Sequence, residues 1–225
     1  MTPLQQILGL IYLPLHILVF PLLFSLYAAV APKEIPEITA NVVYYLMGLA
    51  FVMIVMFSFL RSGYDVLVDR LRHCVLTLVL GLAVIYALDL AASALLMALD
   101  GVINNPANAE MNALAKKDFN TLKALAVFIG PIVEEVLFRG ALFGTLRERS
   151  RGWAYVLSVV MFSLYHVWQF ALAYQDWTML LYAIQYIPVS IVLTWCYERT
   201  GCIWTSIFFH MGYNSVSFAL IAAMM

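Results

Sequence analysis

Three short stretches of this chain place reactive side chains at helical spacing inside otherwise apolar sequence. They are Glu134-Glu135-Val136-Leu137-Phe138-Arg139, Phe162-Ser163-Leu164-Tyr165-His166 and His210-Met211-Gly212-Tyr213-Asn214. A charge at the centre of a membrane helix costs about 2.5–3.5 kcal/mol on insertion scales, so such residues are functional candidates by default. Adjacent helical residues point about 100° apart, so Glu134 and Glu135 face different surroundings. Arg139 follows Glu135 by four and shares its face, which makes Glu135 an ion-paired carboxylate. Glu134 is left without a local partner and is the candidate general base. His210 and Asn214 also share a face, and both side chains can donate hydrogen bonds to an oxygen that gains negative charge. Phe162 shares a face with His166, where its ring fixes the imidazole or walls a substrate pocket.

Two chemistries fit this set. Glu134, His166 and His210 together are acceptable zinc ligands. Alternatively, the carboxylate activates water for attack on an amide. HExxH and GxSxG are both absent, so neither the usual zinc helix nor a serine nucleophile elbow is present. A metal or proton transporter would use the same polar cluster, and a membrane scaffold that binds peptides without cutting them is a further class. Counted from Arg147, Arg151 and Arg199, the residues Glu134, His166 and His210 lie at depths of roughly 20, 22 and 16 Å at the usual helical rise. Three helices of alternating direction thus bring them to one level.

Other polar residues read as structural. Asp89 has no partner in its own run and is expected to turn towards Arg139 or a polar loop. His16, beside Pro14, reads as an interhelical hydrogen-bonding residue. Tyr44, Tyr45, Trp153, Trp177 and Trp204 lie near run ends and fit interfacial anchors. Ser206, Ser215 and Ser217 read as helix-packing residues. Cys74, Cys196 and Cys202 form no CxxC, leave one unpaired and imply no disulfide framework or thiolate zinc site.

The elements that position these groups follow from composition. Of 225 residues, 64% are hydrophobic and 11% charged, against about 45–50% and 25% in an average soluble domain. That excludes a soluble enzyme and a disordered chain, and a net charge of −1 offers no field for nucleic acid. An all-α, polytopic membrane bundle of seven to eight helices is expected, since a span needs about 20 apolar residues. Seven runs lie near 6–31, 40–60, 74–99, 122–146, 153–174, 177–197 and 202–225. Residues 1–225 read as one integral membrane domain, with the motifs in its second half, about 122–225. The first run is a retained helix bent at Pro14 or Pro21 rather than a signal peptide, because no basic residue precedes it. Pro131 predicts a kink beside the glutamates. Between Asp100 and Thr121, Asn104-Asn105-Pro106 signals a turn, and 107–117 reads as a short surface helix or a polar loop. With the N-terminus cytoplasmic, seven arginines (Arg61, Arg70, Arg72, Arg147, Arg149, Arg151, Arg199) lie inside and four lysines (Lys33, Lys116, Lys117, Lys123) outside.

Taken together and in order, the three stretches resemble the motifs of the CAAX protease and bacteriocin-processing (CPBP, or Abi) family of intramembrane proteases. The resemblance runs from about Pro131 to Ser215, and all six polar motif positions match. It implies a glutamate-dependent endopeptidase in which Glu134, aided by His166, activates water. His210 and Asn214 would form an oxyanion hole, and Glu135 and Arg139 would complete the site. It implies no essential metal, although the same ligands suit zinc. The partners it implies are the lipid bilayer and a peptide or lipidated-protein substrate. The short chain resembles bacterial members linked to peptide maturation or self-immunity. The alternative is a CAAX endopeptidase that removes a C-terminal tripeptide after prenylation. Either implies a multi-pass protein of a bacterial or archaeal cell membrane, with a site reached from the cytoplasmic side.

Overall fold

A computed structural model describes residues 1–31, 35–100 and 105–224. Lys33 and Asn104, used above in the charge balance and the turn signal, lie outside the described residues. Among the described residues the chain is all-α, with nine helices. They are α1 (Pro3–Val30), α2 (Glu37–Val55), α3 (Phe57–Asp69), α4 (Leu71–Asp100), α5 (106–146), α6 (Arg151–Tyr165), α7 (Trp168–Ala173), α8 (Trp177–Thr200) and α9 (Ile203–Met224).

Five of the seven apolar runs form helices long and apolar enough to cross a membrane: α1, α2, α4, α8 and α9. The other two differ for local reasons. The run at 122–146 lies inside α5 and carries Lys123, Glu134, Glu135 and Arg139. The run at 153–174 splits into α6 and α7, because Val167 leaves helical geometry at φ −131°, ψ −20°. The run at 40–60 also stops early, at Met56, where α3 begins in a new direction.

Helix α1 starts with a capping box. The Thr2 hydroxyl accepts from the Gln5 backbone, and the Gln5 side chain accepts from the Thr2 backbone. Its bend takes the form of a π-helical turn, Leu15–Val19, set between Pro14 and Pro21. Neither proline can donate to the carbonyl four residues back, and the wider turn accommodates the loss.

Helix α5 is the central rod. Asn105 caps it by accepting from the Ala107 backbone at 3.0 Å, so residues 107–117 are helical. Its first part bends at Asp118 (φ −153°, ψ 85°) and packs Leu114, Ala115 and Leu122 with Val127 and with Phe218 of α9. The kink expected at Pro131 is resolved by a π-helical segment just before it, Ala124–Ile129, followed by α-helix at Gly130–Glu135 and a second π-helical segment at Val136–Phe143. Every residue from 133 to 143 is buried. Val133, Leu137 and Phe138 form one core with Tyr12, Leu13 and Ile17 of α1, Phe162 of α6, Leu193 of α8 and Phe209 of α9. Outer positions such as Val30 and Ile54 are 80% exposed, as expected where lipid replaces water as the solvent. In that setting close packing and interhelical hydrogen bonds, rather than the hydrophobic effect, hold helices together.

Helix α8 opens as a 3₁₀-helix, Trp177–Tyr186, with Asp176 accepting from the Thr178 backbone at 2.9 Å. It ends at Gly201, whose φ of 66° is left-handed and favours glycine. That cap lets α9 start two residues later and run back alongside α8, which brings His210 to the middle of α5.

Candidate active site

The two glutamates of α5 have opposite surroundings. Glu135 is fully buried. Its Oε1 accepts from Arg139 Nη1 at 3.1 Å and from His210 Nδ1 at 2.9 Å. Its Oε2 accepts from the Ser206 hydroxyl at 2.5 Å. The Arg139 guanidinium is equally buried; Nη2 donates to the Ser190 carbonyl at 3.0 Å and the Ser190 hydroxyl at 2.8 Å. Its flat face lies 4.2 Å from the Phe162 ring centre. A buried ion pair is tolerable only when its remaining donors and acceptors are satisfied. Here two hydroxyls, an imidazole and an aromatic face supply most of that compensation.

Glu134, one residue earlier, is 5% exposed and nearly unsatisfied. Among the described residues its Oε1 accepts only from the Tyr45 hydroxyl, at 3.4 Å, and its Oε2 has no hydrogen-bond partner. That oxygen faces His166 Nε2 at 4.0 Å and His210 Nε2 at 3.9 Å. The other nitrogen of each ring fixes its proton. His166 Nδ1 lies 2.9 Å from the Phe162 carbonyl, and His210 Nδ1 lies 2.9 Å from the Glu135 carboxylate. Both partners accept, so each Nδ1 carries hydrogen and each ring turns its Nε2 towards Glu134.

Helix breaks aim these groups. His166 sits at the end of α6, stacked on Tyr186 with ring centres 4.4 Å apart, where the 3₁₀ part of α8 ends. Phe162 is 1% exposed, wedged between Arg139, Phe138 and the rings of His166 and His210. Asn214, one turn beyond His210, donates from Nδ2 to the Ala126 carbonyl at 2.8 Å. That carbonyl belongs to the π-helical segment before Pro131. Asn214 thereby ties α9 to α5 two turns before Glu134.

Among the described residues no group of three or more His, Cys, Asp and Glu is set to hold a metal ion. Glu134, His166 and His210 come nearest. Zinc ligands at about 2.0–2.1 Å from a tetrahedral centre lie about 3.3 Å from one another, closer than the 3.9 and 4.0 Å found here.

Several side chains lie elsewhere than their sequence context suggests. Asp89 accepts from Tyr213 of α9 at 3.2 Å, and not from Arg139. His16 is fully buried with neither ring nitrogen hydrogen-bonded, stacked on Tyr44 at 4.4 Å. Trp153 and Trp177 point outward, but Tyr44 and Tyr45 do not act as anchors. The Tyr44 hydroxyl donates to the His16 carbonyl at 3.0 Å and lies 3.1 Å from the Tyr165 hydroxyl, while Tyr45 reaches Glu134. Trp204 also turns inward, donating to the Leu60 carbonyl at 2.8 Å. Ser190, Ser206 and Tyr45 are site residues that the motifs do not reveal. Ser206 carried one readable signal, its position four residues before His210 on the same face of α9. Ser190 carried none.

Fold and cluster together define a polytopic helical membrane protein whose centre is a carboxylate with one free oxygen facing two imidazoles. Residues 119–216 of the chain match the family described as Rce1-like, type II CAAX prenyl endopeptidase, so this part of the chain is similar to the CPBP intramembrane endopeptidases. Among curated proteins the chain is similar to the UPF0177 protein YbdI of Lactococcus lactis subsp. lactis (strain IL1403), 34% identical over 94 residues. That match covers 40% of this chain and 43% of the relative, so it spans less than half of either. No solved structure matches the chain. The buried Glu134, Glu135 and His210, with the half-buried His166, are consistent with the catalytic residues of the family.

Proposed function

We propose that the chain is an intramembrane endopeptidase that hydrolyses a peptide bond with water activated by Glu134 and His166. One observation carries this reading: His166 Nε2 and His210 Nε2 approach the unsatisfied Oε2 of Glu134 at 4.0 and 3.9 Å, while adjacent Glu135 is fully bonded. Those separations exceed a direct hydrogen bond and suit a single water shared between the groups. In the proposed reaction the water oxygen attacks the carbonyl carbon as its proton passes to Glu134. The C–N bond then breaks as that proton passes to the amine nitrogen. The products are one carboxylate and one amine, and no co-reactant is consumed. His210 and Asn214 supply donors to the transient oxyanion. For His210 the donor is Nε2–H, since Nδ1 is engaged by the Glu135 carboxylate. Phe162 walls the site and holds the ring of His166.

The whole chain acts as one membrane domain in this reading, with its catalytic half at about 122–225. The second part of α5 and the α6–α7 pair cross the bilayer beside the five apolar helices, giving seven spans. The seven-to-four charge bias opens the site towards the cytoplasm of a bacterial or archaeal cell. The substrate class we favour is a peptide undergoing maturation or self-immunity processing. The family description, a prenyl endopeptidase, supports a second substrate class, a prenylated C-terminal tail.

The deciding experiment is mass spectrometry of products from two probes, an unmodified apolar peptide and an S-farnesylated CAAX peptide. Purified wild type and Glu134→Gln are compared, with and without a chelator. Chelator-resistant cleavage by wild type alone supports the reading. Cleavage retained by Glu134→Gln removes Glu134 as base, and cleavage abolished by the chelator and restored by zinc replaces the mechanism with a metal-dependent one.

A further inference from the structure

The family match begins at residue 119, yet the only hydrogen bond to Glu134 Oε1 among the described residues comes from α2, in the front half of the chain. We infer that Tyr45 is a positioning residue for Glu134: its hydroxyl holds Oε1 and so leaves Oε2 as the oxygen that takes the proton from water. This deepens the endopeptidase reading and rests on it.

Three features support the inference. First, the two oxygens of Glu134 are unequal. Tyr45 donates to Oε1 at 3.4 Å, beyond the usual O–H···O range of about 2.5–3.0 Å, as catalytic hydrogen bonds often are before substrate binds. Oε2 has no hydrogen bond and faces both imidazoles. A donor at one oxygen biases the carboxylate against exchanging the two, so one oxygen is preferentially presented to water.

Second, Tyr45 is itself braced. Its ring meets Tyr44 edge-on, with centres 5.1 Å apart and planes at 74°. Tyr44 is fixed at three points: its hydroxyl donates to the His16 carbonyl, the same hydroxyl touches that of Tyr165, and its ring stacks on His16. The bracing therefore draws on α1, α2 and α6 together. It also gives the buried His16 ring a role that needs no hydrogen bond to its nitrogens, as a flat surface under Tyr44.

Third, position 130 keeps room for the contact. A Cβ on Gly130 would lie 3.3 Å from Cε1 of Tyr45, 3.4 Å from Oε1 of Glu134 and 3.2 Å from the Leu125 carbonyl. The two shorter distances are tighter than about nine in ten real Cβ contacts, so a neighbour would have to give by a few tenths of an ångström. A side chain there pushes the tyrosine ring or the backbone aside, while glycine lets ring and carboxylate meet. This steric observation is independent of the hydrogen bond and points to the same pair.

The test uses the full chain in lipid nanodiscs. The probe is an internally quenched S-farnesylated CAAX peptide, and the second readout is thermal unfolding. Tyr45→Phe removes only the hydroxyl and is expected to lower kcat about tenfold with KM within about twofold, the scale of one hydrogen bond to a charged group. Gly130→Ala is expected to lower kcat at least as much. The unfolding shift caused by Tyr45→Phe is expected to vanish in a Glu134→Ala background, because the partner is then gone. A Tyr45→Phe variant with wild-type kcat, or one that changes KM alone, overturns the inference. So does an equal unfolding shift in both backgrounds. Full cleavage by Glu134→Ala overturns the base assignment instead. If wild type leaves this probe uncut, the thermal cycle, which needs no cleavage, still decides whether Tyr45 and Glu134 act as a pair.

Discussion

On one side of α5, Glu135 and Arg139 are enclosed by Ser190, Ser206, His210 and Phe162, and both oxygens of the carboxylate are used. On the other side, Glu134 meets one tyrosine hydroxyl at 3.4 Å and two imidazole nitrogens that stay about 4 Å away. The two carboxylates are chemically identical and adjacent in sequence. Surroundings alone divide their roles. A carboxylate with both oxygens engaged fixes helices and orients a histidine, but it is a poor proton acceptor. A carboxylate with one idle oxygen is buried at a cost, and that cost is retained where chemistry uses it.

The largest test of this contrast is Glu135→Ala. It leaves the buried Arg139 without its carboxylate and is expected to destabilise the protein by about 3–5 kcal/mol, read as a large fall in unfolding temperature and in folded yield. A variant as stable as wild type would mean that the enclosed side is not holding the bundle. Next comes Glu134→Gln, which nearly preserves shape. It is expected to reduce cleavage at least about 100-fold with little change in unfolding temperature. The two substitutions together separate a structural carboxylate from a reactive one. Ser206→Ala is smaller. It removes one donor to Glu135 and is expected to cost about 1.5–3 kcal/mol, seen in thermal unfolding, with a partial loss of activity through His210. The smallest effect belongs to His16→Phe. The imidazole has no hydrogen bonds at its ring nitrogens, so an aromatic ring of similar shape is expected to change stability by under about 1 kcal/mol. A loss above about 2 kcal/mol would assign that ring a polar partner.

Conspicuous polarity made the motif residues legible in the sequence. A glutamate, an arginine or a histidine in an apolar run stands out, and four-residue spacing brings Glu135 onto Arg139 at 3.1 Å. Side chains that suit two environments were not legible. A tyrosine near a helix end reads as an interfacial anchor, yet Tyr44 and Tyr45 turn inward because α2 packs beside α1 and α5 there. A serine in a membrane helix is ordinary packing material, and only the fold brings Ser190 to Arg139. Asp89 found Tyr213 across helices, a pairing that spacing within one run cannot show. Seven apolar runs were legible, but the break at Val167 and the charges within α5 make two of them unlike plain membrane spans. The π-helical segments were legible only indirectly. Prolines flag the two near Pro14 and Pro131, and nothing flags Val136–Phe143.

That last segment has a consequence for how the protein tolerates change in length. A π-helical turn holds more residues than the α-helical turn it replaces, so Val136–Phe143 contains slack of about one residue. Arg139 sits in the middle of this slack, reaching back to Glu135 and across to Ser190. Deleting a single residue there would let the helix tighten to α geometry and keep the two flanks nearly in phase, whereas the same deletion in plain α-helix would rotate everything beyond it by about 100°. Elsewhere in a helix a surplus residue is an irregularity to be trimmed. In α5 it works as slack, keeping in phase the half of the rod that carries the glutamates and the half that anchors it to α6 and α8.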